Sequence, residues 1–185
     1  MKRIQLSLYV PSSASTQLET IRRLLDPIQS NLIPAHVTLC REDEIEHIEP
    51  ALLETRLAEA TAITLSFGRP EHFGGHGVLL PCVGGAADFH ALRKWVLGPD
   101  SMKQHAPHIT LAHPRNAKAP TNTAGHAAGL PDPLQFTFEH VNRIRQLGTQ
   151  PWEVLSRYQL STPNRAAIVP PDRVFRAPER IPRKR

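Results

Sequence analysis

Cysteine is nearly absent from this chain: Cys40 and Cys82 are the two among 185 residues. That excludes a disulfide framework and a zinc ribbon, which need more ligands at characteristic spacing. No apolar run approaches the roughly 20 residues that span a bilayer. After Met1-Lys2-Arg3, the chain alternates Ile4, Leu6, Leu8 and Val10 with Gln5, Ser7 and Tyr9. A secretory leader would carry a continuous apolar segment there, so the stretch reads as a strand and the expected location is cytoplasmic. Also missing are a phosphate-binding P-loop, a dinucleotide glycine fingerprint and a Gly-x-Ser-x-Gly elbow. His72 and His76 fall in a Gly-rich loop with Glu71 as the one acidic neighbour, so no metal site and no cofactor are expected.

The body of the chain lacks net charge as well. Residues 161–185 hold seven basic side chains (Arg165, Arg173, Arg176, Arg180, Arg183, Lys184 and Arg185) against Asp172 and Glu179. The whole net charge of +5 therefore sits there, and residues 1–160 balance at fifteen against fifteen. Five prolines in the same segment predict an extended or disordered tail. It reads either as a solubilising terminus or as an arm for a polyanion. Residues 1–160 form one domain or two small lobes, long enough to bury a core.

What the chain does have is a tetrapeptide written twice: His36-Val37-Thr38-Leu39 and His108-Ile109-Thr110-Leu111. With ten histidines and twelve threonines, chance supplies about 0.65 His-x-Thr triplets, and two copies with the flanking aliphatics are not an accident. On a strand, His and Thr share one face and the aliphatic pair takes the other. Strict alternation also puts Cys40 on the His/Thr face, where it borders the groove as a buried free thiol. Two such strands set face to face would gather two imidazoles and two hydroxyls around one small anion.

The coarse order of elements predicts an α+β fold. A strand over 3–10 leads to a helix over 15–31, N-capped by Ser12, Ser13 or Ser15 and interrupted by Pro27. The first His strand spans 35–40, and an acidic stretch then caps and solvates a helix over 49–60. Strands at 62–68 and 77–83 bracket a loop. A helix over 86–97 packs through Ala87, Leu92, Trp95 and Val96, and the second His strand spans 107–113. A loop-like region to Pro133 holds a short helix near 122–129, and strands at 135–147 and 152–160 close the domain. The second half thus loosely repeats the first. Two similar lobes of antiparallel sheet follow, with outer helices, a pseudo-two-fold and a central groove carrying both His strands.

These paired motifs, on strands in two similar halves, resemble the 2H phosphoesterase superfamily, which includes 2′-5′ RNA ligase-like and 2′,3′-cyclic phosphodiesterase proteins. The resemblance covers residues 3–160 and implies a phosphoesterase that needs no metal. Its substrate would be a nucleotide 2′,3′-cyclic phosphate or an RNA terminus. No membrane and no obligate protein partner are implied. The residues make that chemistry intelligible by themselves. Opening a cyclic phosphate needs one proton taken from water and one given to a ribose oxygen, and imidazoles titrate in the range where they can do either. We expect His108 as base, His36 as acid, and Thr38 and Thr110 as phosphate donors. Gln5, Ser7 and Tyr9 would face the groove, with Tyr9 either stacking on a base or lining the rim. Arg41 and Arg115 follow the motifs by two residues and reach the groove only if each strand ends first. Arg143 and Arg145 share a face of a late strand and are further candidates. The rival reading is a non-catalytic RNA- or nucleotide-binding module that uses the same groove and the basic tail.

Overall fold

Polar/apolar alternation drives β1 (Lys2–Tyr9), and Pro11, which cannot extend a ladder, ends it. α1 (Ser12–Leu25) follows at once, with Pro11 as its N-cap and no side-chain capping bond, so the three serines lie inside the helix rather than before it. Pro27 then separates α1 from α2 (Pro27–Leu32), and Asp26 between them accepts from Gln29 N–H at 2.8 Å. β2 (His36–Cys40) is the first His strand. The acidic stretch is not wholly a solvated cap: it forms α3 (Glu42–Ile45), in which Glu44 is buried. α4 (Pro50–Ala58) and β3 (Ile63–Phe67) follow.

The expected loop after Gly68 is instead a hairpin of β4 (Glu71–Phe73) on β5 (Gly77–Gly84). Gly85 opens α5 (Ala86–Leu97) at φ +81°, and a Cβ there would lie 2.1 Å from the Thr64 carbonyl. Its buried face is Phe89, Leu92, Arg93, Val96 and Leu97. Leu92 and Val96 pack as expected, whereas Ala87 and Trp95 point outward and Phe89, Arg93 and Leu97 take their place. β6 (His108–Ala112) is the second His strand, and a 3₁₀ turn at Ala124–Ala127 stands in for the short helix. The long strand expected at 135–147 is broken at Glu139 into β7 (Leu134–Phe138) and β8 (His140–Leu147), and β9 (Glu153–Gln159) ends the fold. The described residues are 2–98 and 105–162 of this computed structural model. The extended tail expected from 161 therefore falls almost entirely outside them. Ser161 itself is bonded to the body through Ala60 and Ala62.

The strands form two antiparallel sheets. One runs β2-β1-β8-β9. The other runs β4-β5-β3-β7, with β6 also on β5, opposite β3 and β4. The break at Glu139 is where the chain crosses from the second sheet into the first. Each His strand is thus an edge strand beside a long central one, and the two edges contact each other.

The halves repeat more strictly than the sequence suggested. β1 pairs β2 as Leu6↔Cys40, Ser7↔Thr38, Leu8↔Val37 and Tyr9↔His36. Adding 72 to every number gives the β5–β6 pairing: Val78↔Ala112, Leu79↔Thr110, Leu80↔Ile109 and Pro81↔His108. The bulge repeats too, between Leu6 and Ser7 and between Val78 and Leu79. A bulge sets two residues against one and re-aims the second. Both strands therefore share one burial pattern, with His and Thr half-buried and the other three residues buried. Cys40 is turned to the core by this bulge, which corrects its expected place beside the groove.

Two buried arginines brace the edges from opposite lobes. Arg22 of α1 donates from Nε to the Thr110 carbonyl (3.3 Å), from Nη2 to the Ile33 carbonyl (2.8 Å) and from Nη1 to Glu19 (2.7 Å). Arg93 of α5 donates to the Leu39 carbonyl and pairs with Glu44 at 2.6 Å. Removing one partner of such a buried pair leaves an uncompensated charge, so Arg93→Leu is expected to cost about 3–5 kcal/mol in urea unfolding. Arg93→Leu combined with Glu44→Leu should recover a large part of that loss.

Candidate active site

β2 and β6 bring His36, Thr38, His108 and Thr110 to one place. The proximity of the two imidazoles shows in their electrostatics, since the charge of His108 weighs against protonation of His36. The rings are held alike: His36 Nδ1 meets the Pro34 carbonyl at 2.8 Å, and His108 Nδ1 meets the Ala106 carbonyl at 2.9 Å. A carbonyl can only accept, so Nδ1 carries the proton in both and Nε2 is the nitrogen left for chemistry. Among the described residues neither the Thr38 nor the Thr110 hydroxyl has a hydrogen-bond partner, so both can donate to an anion.

An aromatic ring flanks each imidazole. Tyr9, the register partner of His36, lies edge-on to it with ring centres 6.3 Å apart. Its phenol is pushed up to about 12 by burial and stays protonated. Pro81 takes the corresponding place beside His108, and the ring there comes from Phe73 of β4, at 6.0 Å. Sequence reading missed Phe73 because a three-residue strand inside a glycine-rich stretch has no periodicity to reveal it.

A third imidazole completes the cluster. His105 lies 5.8 Å from the His108 ring and 6.1 Å from Phe89, with Nε2 3.0 Å from the Thr38 carbonyl. Burial pulls His36 down to about 4, assisted by the charges of Arg22 and His108 and opposed by the Pro34 bond. His105 also falls to about 4, through burial first and then the charges of Arg93, Arg41 and His108.

The other candidates divide. Arg41 is exposed just past β2, and its charge reaches His105, so it stands beside the cluster. Arg115 is exposed in the loop after β6, next to His113. Gln5 and Ser7 are buried and bonded to each other, Gln5 Nε2 to Ser7 Oγ at 2.9 Å, and Asn142 packs at Ser7. Ser7 is the register partner of Thr38, so both lie on the His/Thr face as expected, but buried there rather than open to a ligand. Arg143 and Arg145 are not brought to it. Arg143 is the register partner of core-facing Leu6 and lines a separate depression of about 230 Å³ with Ile4, Glu42 and Ile45. Arg145 pairs with Glu153 at 2.6 Å. A β8 residue shares a face with its cross-strand neighbour, and the neighbours of these arginines face away from His36. Cys40 is pushed up to about 12, chiefly by burial, which removes it as a nucleophile. Among the described residues no group of three or more His, Cys, Asp or Glu could hold a metal ion, and no helix is long and apolar enough to cross a membrane.

Two sheets meeting at paired His-x-Thr edges define the two-lobed architecture of the 2H phosphoesterases, and comparison with known proteins agrees. The family model described as the 2′-5′ RNA ligase superfamily matches residues 10–150, and the chain belongs to that superfamily. E. coli LigT, solved with NADP+, superimposes with a TM-score of 0.59 at 16% identity, covering 86% of this chain and 98% of that one. A second crystal structure, described as a phosphoesterase, gives 0.54 at 14% identity over 87% of this chain and 99% of its own. LigT with 3′-AMP gives 0.52 at 15% identity over 86% and 98%. No curated protein matches the sequence. Phosphoesterase-type chemistry is therefore the general activity of the class.

The two depressed imidazoles fix a sign for acid stability. Between pH 6.5 and about 4 the unfolded chain binds protons at His36 and His105 that the fold does not, so stability falls as pH drops through that window. Melting curves at pH 7 and pH 5 should show a lower Tm at pH 5. The drop should shrink in His36→Gln, and an identical drop in that variant would refute the assignment.

Proposed function

We propose that this protein hydrolyses 2′,3′-cyclic phosphates of nucleotides or RNA ends to 2′-phosphates, or acts on 2′-5′ RNA linkages, by proton transfer between His36 and His108. The observation that carries the reading is the matched pair of imidazoles, each tied through Nδ1 to the carbonyl two residues back and each leaving Nε2 available. One Nε2 takes a proton from water as its oxygen attacks phosphorus. The other gives a proton to the ribose O3′ as the P–O3′ bond breaks, leaving a 2′-phosphomonoester. Thr38 and Thr110 donate to the non-bridging oxygens, where charge accumulates. In the reverse direction the imidazoles exchange parts, so both are required.

Burial keeps His36 neutral in the free protein at pH 7. An arriving phosphate anion offsets that effect and favours the protonated ring. His36 as acid and His108 as base thus suits a site that takes up its proton together with its substrate. The solved LigT complexes with 3′-AMP, ATP and NADP+ support a nucleotide as the ligand class. Tyr9 and Phe73 are the aromatic surfaces on which a base could stack. Arg41, exposed and with its charge reaching His105, is a candidate contact for a further phosphate, as is Arg115 in the loop after β6. The reaction as written uses protein groups alone and calls for no cofactor.

His36→Ala and His108→Ala should each lower turnover of a 2′,3′-cyclic mononucleotide by ~10²–10⁴ with EDTA present. Thr38→Val and Thr110→Val should each cost about tenfold or more. Turnover that survives both histidine substitutions, or that disappears from the wild type with EDTA, contradicts the mechanism. Inorganic phosphate should bind with net proton uptake at pH 7, read by calorimetry in two buffers of different ionisation heat. Uptake absent from the wild type would remove the assigned role of His36.

A further inference from the structure

The threonine carbonyls of the two motifs are equivalent positions, since 38 plus 72 is 110, yet different side chains hold them. The Thr110 carbonyl accepts from Arg22 Nε at 3.3 Å, and the Thr38 carbonyl accepts from His105 Nε2 at 3.0 Å. The position corresponding to His105 in the first half is Ile33, whose own carbonyl accepts from Arg22. His105 is therefore a polar departure from the repeat, in contact with both motifs: its ring lies beside His108 and its N–H is on Thr38.

We propose that His105 is a positioning residue that sets the separation of the two catalytic strands, by donating Nε2–H to the Thr38 carbonyl while its ring rests against His108. The inference rests on the phosphoesterase reading of the same site. β2 and β6 belong to different sheets, and the described ladders join each to its own central strand and not to the other. Their spacing must then come from side chains reaching across. Arg22 fixes β6 at Thr110 from α1, Arg93 fixes β2 at Leu39 from α5, and His105 supplies the bond at Thr38 of β2. A misplacement of the order of 1 Å in such a site can cost ~10²-fold in rate, so one bond at this point has leverage.

The chemistry of the position supports the role. A carbonyl only accepts, so His105 carries its proton on Nε2 when neutral, and Phe89 backs the ring at 6.1 Å. Among the described residues, the titratable and charged groups that act on it are Arg93 on α5, Arg41 after β2, Glu44 on α3 and His108 on β6. Burial, with the charges of Arg93 and Arg41, keeps the ring neutral above about pH 4. It therefore adds no charge that would compete with His108 for a proton.

Two substitutions in the full chain separate the bond from the bulk: His105→Phe keeps a ring and loses the N–H, and His105→Gln keeps an N–H donor and loses the ring. On a 2′,3′-cyclic mononucleotide, His105→Phe should lower kcat about tenfold or more with KM within about threefold, as for loss of an orienting contact. His105→Gln should return kcat to within about threefold of wild type, with Tm similar in both variants. Nitrogen-15 spectra of the imidazoles supply a readout that needs no turnover. His108 and His36 should keep their Nδ1–H signature in His105→Gln, and His108 should lose or broaden it in His105→Phe. Wild-type kcat in His105→Phe overturns the proposal, as does an equal loss in both variants that tracks a fall in Tm. If the wild type turns over no cyclic phosphate, the phosphoesterase reading fails separately. The spectra then decide the positioning role, and an unaltered His108 in His105→Phe ends it.

Discussion

Two sheet edges meet in this protein without forming a ladder, and most of what is distinctive in the structure follows from that constraint. An edge strand presents unpaired carbonyls and N–H groups, which would otherwise recruit another strand or remain unsatisfied. If β2 and β6 zipped together, the groove would close and the His and Thr side chains would be locked in one continuous sheet. The protein instead meets the edge carbonyls with side-chain donors from across the interface: Arg22 on Thr110, Arg93 on Leu39 and His105 on Thr38. Each arginine is itself buried and carries a carboxylate, Glu19 or Glu44. The braces are therefore costly to desolvate and destructive to break, which gives the interface one defined separation.

The 72-residue offset explains how two such edges came to match. It relates the tetrapeptides and equally the central strands behind them and the bulge in each pair. Because the bulge turns Cys40 and Ala112 inward, each edge exposes His and Thr and then drops into the core. The repeat is nevertheless inexact at positions beside the two motifs. Tyr9 answers to Pro81, so the aromatic beside His108 must come from β4. Ile33 answers to His105, so one half holds its threonine carbonyl with a fixed cation and the other with an imidazole.

Much of this was legible in the residues. Alternation located the strands because half-buried sheet imposes a period of two, and the doubled His-x-Thr marked two of them as special. Local pattern could not show what depends on non-local partners. Asp26 caps α2 with one oxygen, while the other accepts from the His113 N–H and from the Asn116 amide, some ninety residues on. Glu44 sat in a run of acids that reads as solvent-facing, and only its meeting with Arg93 makes it core. Trp95 reads as a packing residue but is exposed, while Phe89 is buried, because the phase of α5 is set by the surface it packs on. Cys40 and Arg143 were misread for a related reason. Alternation assigns faces only within an unbroken strand, and it does not say which face another element will cover.

The electrostatics tie the braces to the chemistry. A body with balanced charge has little long-range attraction for a phosphate, so binding must rest on groups within contact distance. Arg22 and Arg93 are near the imidazoles but spend their charge on carboxylates and carbonyls, and their residual field discourages protonation of His36 and His105. His36 and His105 are thus kept neutral by burial and by the same arginines that brace the edges. In the reaction we propose, a phosphate entering between Thr38 and Thr110 supplies the anion that an imidazolium needs. On that reading proton and substrate stabilise each other, and the acid required for the leaving oxygen is made at the moment it can be used.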